Sequence, residues 1–325
     1  MRVALFSCTT LIFLLCATLL PAWEPAAPAN GSLFDSGRGE YIWERGFFRV
    51  VYQQSGEHAP PPADRNRNGI PDYVEDVATQ LVVGHHILCD LSGFTAPLSS
   101  GLYRGVAYVE IFINSRARLK GGNGVAFAQP ERARRSLSPV VRALRIRIAN
   151  DLRITSNPTP VHEYFHLIQN AATRLSGVWF HEGTASWSAD ALLVVPARKA
   201  AREELERMLH EPEAAEKVFS MSYNADPQFW SLLVNLCPDG RENMPHDDPI
   251  LQSRYVDGTP VLRDFTFRGV PIIRAVMERF AVIEHIPFEQ FDYGEWTVER
   301  RADPRNFPHM MRGIRDTVAD HCPKP

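Results

Sequence analysis

Two histidines four residues apart, His162 and His166, with Glu163 beside the first, constrain this 325-residue chain more than any other feature. On a helix both imidazoles leave the same face one turn apart, so both reach a single metal ion. Glu163 lies about 100° round the helix from His162, close enough to hold a water on that ion without binding it. Zinc in such a site lowers the pKa of the water and the carboxylate takes its proton, giving a hydrolytic nucleophile at neutral pH.

A site of this kind needs a third protein ligand. Glu182 follows His166 at the start of a second predicted helix over residues 180–195, and a helical hairpin returns its carboxylate to the histidine pair. His181, one residue earlier and on another side of that helix, is the alternative. An all-histidine site of the HExxHxxGxxH pattern is excluded, because Gln169 and Ala172 stand where its glycine and third histidine belong. The first helix is expected from Thr159 as N-cap, with Pro160 at its first position, to about Arg174, with Gly177 placed to end it.

The second informative stretch is residues 64–75. Asp64, Asn66, Asn68 and Asp72 fall at positions 1, 3, 5 and 9 of a twelve-residue loop, Gly69 at 6, the Ile70 carbonyl at 7 and Glu75 at 12. That is the register of a calcium loop, in which glycine permits the sharp turn and the last glutamate closes the shell. Asn at two of the positions leaves three carboxylates, which fits modest affinity and a structural role in calcium-rich fluid. A helix is expected from Asp72 to about Leu91.

Residues 1–22 have the form of an export signal: Arg2, an apolar run from Leu11 to Leu20, then Pro21 and Ala22 as a small-residue cleavage region. Cleavage within residues 25–29 is equally compatible. Leu15 before Cys16 does not fit a lipoprotein signal, and no later segment is apolar enough to span a bilayer. A secreted chain, extracellular or periplasmic and with no stable membrane association, retains Cys89, Cys237 and Cys322. These allow one disulfide among three pairings and leave one thiol over. The formal net charge of −3 gives no reason to expect a nucleic-acid partner. The basic residues between Arg132 and Arg147 read as a solvated face, and the glycines of residues 121–124 lack the Lys-Ser/Thr of a phosphate loop.

Strands are expected at residues 41–53, 105–114 and 142–149. In the last, Leu144, Ile146 and Ile148 alternate with Arg145 and Arg147, giving one apolar and one wet face. A charged, exposed helix is expected at residues 197–211, with further helix near residues 269–285.

Three stretches together carry a family resemblance: residues 64–75, His162 to Gln169 (HEYFHLIQ), and Trp179 to Trp187 (WFHEGTASW). The chain resembles the gluzincins, thermolysin-like zinc metallopeptidases with two His and one Glu, and more closely a group of secreted bacterial metalloproteases. The resemblance implies His162, His166 and Glu182 as zinc ligands and Glu163 as base and proton shuttle. It also implies hydrolysis of peptide bonds in a protein or peptide substrate. The chain departs from thermolysin-like enzymes at Ser186, where they carry an Asp that orients the first histidine; Asp190 is one turn further on. Tyr223, Tyr255 and His210 are candidate transition-state donors, and His181 a cleft residue. Two other readings compete, a degenerate family member that binds without catalysis and a zinc hydrolase with a non-peptide substrate.

The expected fold is a zincin-like α+β core spanning residues 23–195, in which a small mixed sheet lies beside the active-site helix. A mainly helical subdomain follows over residues 196–325. Strand 142–149, immediately before the helix, is expected at the sheet edge, where an extended substrate pairs with it.

Overall fold

The computed structural model describes residues 32–35, 39–134, 136, 138, 140–193, 201–237 and 243–322. The expected signal, residues 1–22, lies outside them. The fold is mixed α+β, built on one six-stranded sheet ordered β1-β2-β3-β4-β6-β5. The strands are β1 Ser32–Asp35, β2 Glu40–Arg45, β3 Phe48–Gln53, β4 Val106–Asn114, β5 Gly124–Arg132 and β6 Arg142–Ala149. β1 to β3 form an antiparallel meander, β3, β4 and β6 run parallel, and β5 returns antiparallel at the edge.

The expected strand 41–53 is therefore two strands, folded back at Gly46 with φ of 62°. β4 and β6 match their expected spans. β6 is not an edge strand, because it pairs with β4 on one side and β5 on the other. With a neighbour paired on each side, β6 offers no free edge to a substrate, so the expected groove there is ruled out. The edge on this side of the sheet belongs to β5, which carries Pro130 within a register irregularity between Phe127 and Glu131. Proline has no N–H for a ladder, so an edge or a bulge is where a sheet accommodates it.

Among the described residues the α-helices are α1 Asp72–His85, α2 Thr159–Ala172, α3 Val178–Ala189, α4 Arg202–His210, α5 Pro212–Phe219, α6 Ser231–Leu236, α7 Val270–Ile283, α8 His285–Gln290, α9 Val298–Arg301 and α10 Phe307–His321. α1 continues as a π-helical stretch to Leu91, as expected. α3 passes into a 3-10 turn, Asp190–Leu192, short of the expected end at residue 195, which lies outside the described residues. So does the expected start of the third helix at residue 197; within the described residues that helix is α4. None of the helices among the described residues is long and apolar enough to cross a membrane.

The alternation of β6 does what period two demands. Leu144, Ile146 and Ile148 face Val109, Ile111 and Ile113 across the ladder, all are buried, and β6 packs against α2. On the other face Glu110 is wholly buried, accepts the Arg134 backbone N–H at 2.5 Å, and lies 3.5 Å from Arg145. Part of the basic run is thus a neutralising frame for a buried carboxylate rather than a solvated face.

One core runs from Trp43 to Ile314, so the apolar interior continues across the boundary expected near residue 195. Cys237 and Cys322 form a disulfide that ties the end of α6 to the end of α10 across 85 residues, and Cys89 is a buried free thiol.

Candidate metal centre

α2 carries the histidine motif because its inner face is apolar. Val161, Tyr164, Phe165, Leu167 and Ile168 are fully buried, each worth about 1.5–3 kcal/mol of transfer. The helix starts differently from expectation. Thr159 is its first residue rather than its cap, and Asn157 Oδ1 accepts from the Thr159 N–H at 3.0 Å and hydroxyl at 2.6 Å. Gly177 does not end α2, which stops at Ala172; it precedes α3 in extended backbone. A Cβ there would lie 2.8 Å from the Phe307 ring, so this glycine serves the close approach of α10.

The α2–α3 hairpin brings Glu182 onto the histidines. Glu182 Oε2 lies 3.2 Å from His162 Nε2 and 3.7 Å from His166 Nε2. Ligand atoms of the three residues all fall within 4.8 Å of one another, close enough to hold one metal ion. Burial works to raise the Glu182 pKa, but the two histidines beside it outweigh burial and hold the carboxylate well below its usual range. For His166, burial acts downward and is outweighed by Glu182 and Glu163, leaving its pKa raised.

The tautomer of His166 follows from its other nitrogen. Gln169 Nε2 donates to the His181 carbonyl at 2.9 Å and to Thr184 Oγ1 at 2.6 Å. A carbonyl accepts only, so the Gln169 amide is fixed and its Oε1 faces His166 Nδ1 at 2.8 Å. Nδ1 therefore carries the proton and Nε2 turns a lone pair toward Glu182 and His162. This is the partner a metal-binding histidine needs on its far side.

Glu163 points past the triad toward β5. Burial is the main cause of its raised pKa, opposed by His166 and His162, and its carboxylate accepts the Ala126 backbone N–H. A Cβ on Gly124 would sit 2.7 Å from Glu163 Cγ and 2.8 Å from Thr159 Cγ2, so only glycine lets the edge strand begin directly over this carboxylate.

The remaining expected residues separate clearly. His181 is outside the triad; its ring stacks on His166 at 5.6 Å, and its Nε2 is buried with no hydrogen-bond partner among the described residues. Asp190 lines the cleft, and His162 bonds Glu182 at 3.2 Å. Ser186 lines the same wall. Tyr223 is 61% exposed, its ring is 5.8 Å from His162, and its hydroxyl bonds Glu182. Burial and then the charges of Glu182 and Glu163 push that hydroxyl up to about 12, so it stays a donor. Tyr255 is buried and accepts from Gln80 Nε2 at 2.8 Å, outside the cleft, and His210 pairs with Glu206 at the end of α4. Neither lines the cleft.

Cleft walls continue on both sides of Glu163. One cavity of about 580 Å³ is bordered by β5, Glu163, His166, His181, Tyr223 and Arg301. The other, of about 640 Å³, is bordered by residues 121–124, His162, Ser186, Asp190 and Asp226.

In the loop of residues 64–75, Gly69 has φ of 83° as the turn requires. Asp64 accepts the Asn68 and Gly69 N–H groups at 3.1 and 2.9 Å. Glu75 accepts from the side-chain amides of Asn66 and Asn68 at 2.9 and 2.8 Å. Asp72 turns to the Arg65 N–H at 2.8 Å.

Sequence reasoning missed three parts of the site. Gln169 had a legible signal, being one turn beyond His166 on the same face. β5 had a weak one in Val125 and Phe127, masked by Pro130. Arg301 had none. No family model matches the chain, and no match is found among curated proteins or solved structures.

Proposed function

We propose that this chain is a secreted zinc metallopeptidase of the gluzincin type, its fold a zincin core steadied by one calcium ion. The carrying observation is the triad of His162, His166 and Glu182 with ligand atoms within 4.8 Å and with Glu163 beside it. The donor set fits zinc, since two imidazoles and one carboxylate leave a fourth position for water. His166 is already in the tautomer that such a role requires.

When bound, zinc supplies a water acidic enough to lose its proton near neutrality and polarises a carbonyl oxygen. Glu163, buried and with a raised affinity for protons, takes that proton and passes it to the leaving amine. Tyr223, reachable from solvent and protonated, donates a hydrogen bond to the oxyanion that develops. The free edge of β5 aligns an extended peptide over Glu163, in place of the groove first expected on β6. Secretion is supported by the export-type amino terminus and by the disulfide.

The second ion belongs to the loop of residues 64–75. Asp64, Asn66, Asn68, Asp72, Glu75 and the Ile70 carbonyl are oxygen donors suited to calcium, and the side-chain bonds from Asn66 and Asn68 to Glu75 keep these three residues adjacent in the loop.

Purified protein incubated with denatured casein, with and without a zinc chelator, tests the main reading. Chelator-sensitive cleavage by protein holding one zinc is expected. Zinc-loaded protein that leaves casein and a broad peptide mixture intact refutes it.

A further inference from the structure

Arg301, at the end of α9, brings a guanidinium from the carboxy-terminal third of the chain to the wall of the cavity beside His166 and His181. Its protein contacts are all to neutral acceptors. Nε donates to the Arg174 carbonyl at 3.0 Å, and Nη2 to Asn170 Oδ1 at 2.5 Å and the Thr173 carbonyl at 3.2 Å. Among the described residues Nη1 has no hydrogen-bond partner and no carboxylate lies within ion-pair distance of the guanidinium. Glu284, whose charge also acts on Arg301, is committed to Thr173 Oγ1 at 3.0 Å and the Arg174 N–H at 2.7 Å. Glu131, on the opposite rim, is engaged by Arg145.

A half-buried cation held rigidly by three neutral oxygens keeps most of its field, because desolvation has removed water and nothing has neutralised the charge. The same cavity contains the orphaned Nε2 of His181 and opens onto Glu163. The other half of the cleft carries Asp190 and Asp226 instead. We propose that Arg301 forms an anion-selecting subsite, which takes an Asp or Glu side chain of the substrate on the His181 side of the scissile bond. This deepens, and rests on, the peptidase reading. The carboxylate supplies the missing counter-charge through Nη1, while Nε and Nη2 keep the fork in place.

The test uses the full zinc-loaded chain and octapeptides carrying a single Glu, or a single Gln, at each position in turn. At one position wild type is expected to prefer Glu by roughly ten- to hundred-fold in kcat/KM, as a charge-assisted hydrogen bond in a partly dry site gives. Arg301→Met should compress that ratio to within about two-fold, and Arg301→Lys should retain part of it. Each ratio is taken within one variant, so a lower yield of folded protein does not alter it. In wild type alone, raising salt from about 20 to 500 mM should also shrink the ratio. A Glu preference below two-fold at every position, or one that survives Arg301→Met, overturns the subsite. If the zinc-loaded chain cuts no peptide, the peptidase reading falls separately. Isothermal titration of the same Glu and Gln pairs then decides the subsite, and equal or absent binding overturns it.

Discussion

The two candidate ion sites differ in who organises the ligands. In the α2–α3 triad the protein has done it beforehand: Gln169, locked by Thr184 and the His181 carbonyl, presents the lone pair of His166. In the loop of residues 64–75 the ligands occupy one another, with both asparagine amides spent on Glu75. One site lies against a packed core, the other on an exposed turn. Preorganisation of the first kind yields tight binding and a fixed chemical geometry. The second yields an ion-dependent local order, weaker and easier to reverse.

The largest effect that sharpens this contrast is the loss of chemistry without loss of metal. Glu163→Gln should retain stoichiometric zinc while peptide hydrolysis falls by about 10²–10⁴-fold, the usual contribution of a positioned base. Glu182→Ala should lose most of the zinc. If instead His181→Ala loses the zinc and Glu182→Ala keeps it, the third ligand has been assigned to the wrong residue.

Next comes a buried imidazole with no place in the triad. His85 lies among Phe47, Phe48 and Tyr164, with its Nδ1 2.7 Å from the Tyr164 hydroxyl. Burial pushes its pKa down to about 4, against the pull of Asp90, whereas the carboxylates around His166 raise that histidine. Because the folded pKa lies below the unfolded one, the contribution is full above pH about 6.5 and is lost as pH falls toward 4. It amounts to on the order of 3 kcal/mol. Urea unfolding of metal-free wild type and His85→Gln at pH 7, 5.5 and 4.5 checks it. The wild type should lose stability faster, and parallel pH curves would remove this role of His85.

Removing the organiser of the triad should have a smaller effect. Gln169→Met leaves the three ligands but frees the His166 ring, and zinc affinity should drop by about 10–100-fold. Competition against a chromogenic chelator measures it. Unchanged affinity would mean that the packing of α2 on α3, rather than Gln169, sets the geometry.

The parts of this molecule legible in the sequence are those set by short-range periodicity. HEYFH, the helix after Asp72 and strands β4 and β6 each follow from spacing within one element. Position within the sheet does not. β6 looks like an edge strand by its alternating arginines, but Arg145 answers Glu110 on the neighbouring strand, and the edge on this side hides behind Pro130. The convergence of Arg301 on His181, and the choice of Cys322 for Cys237, depend on how helices far apart in sequence stack. No local pattern encodes either. Gln169 falls between these cases, because its position was legible and its role was not.

The smallest effect tests the calcium loop. Binding there requires the amides of Asn66 and Asn68 to release Glu75 and turn their oxygens inward, so part of the binding energy is consumed by rearrangement. A dissociation constant of about 0.1 mM, ordinary for extracellular calcium modules, then gives about 1.4 kcal/mol at 1 mM calcium. For a chain of this size that raises Tm by about 2 °C. Differential scanning calorimetry with calcium and with chelator should show the rise in wild type and none in Glu75→Ala, with zinc content equal in both. An equal rise in the two proteins would place calcium elsewhere. Loss of zinc in Glu75→Ala would break the comparison itself, since the two sites would then share one cooperative element through α1 and α2.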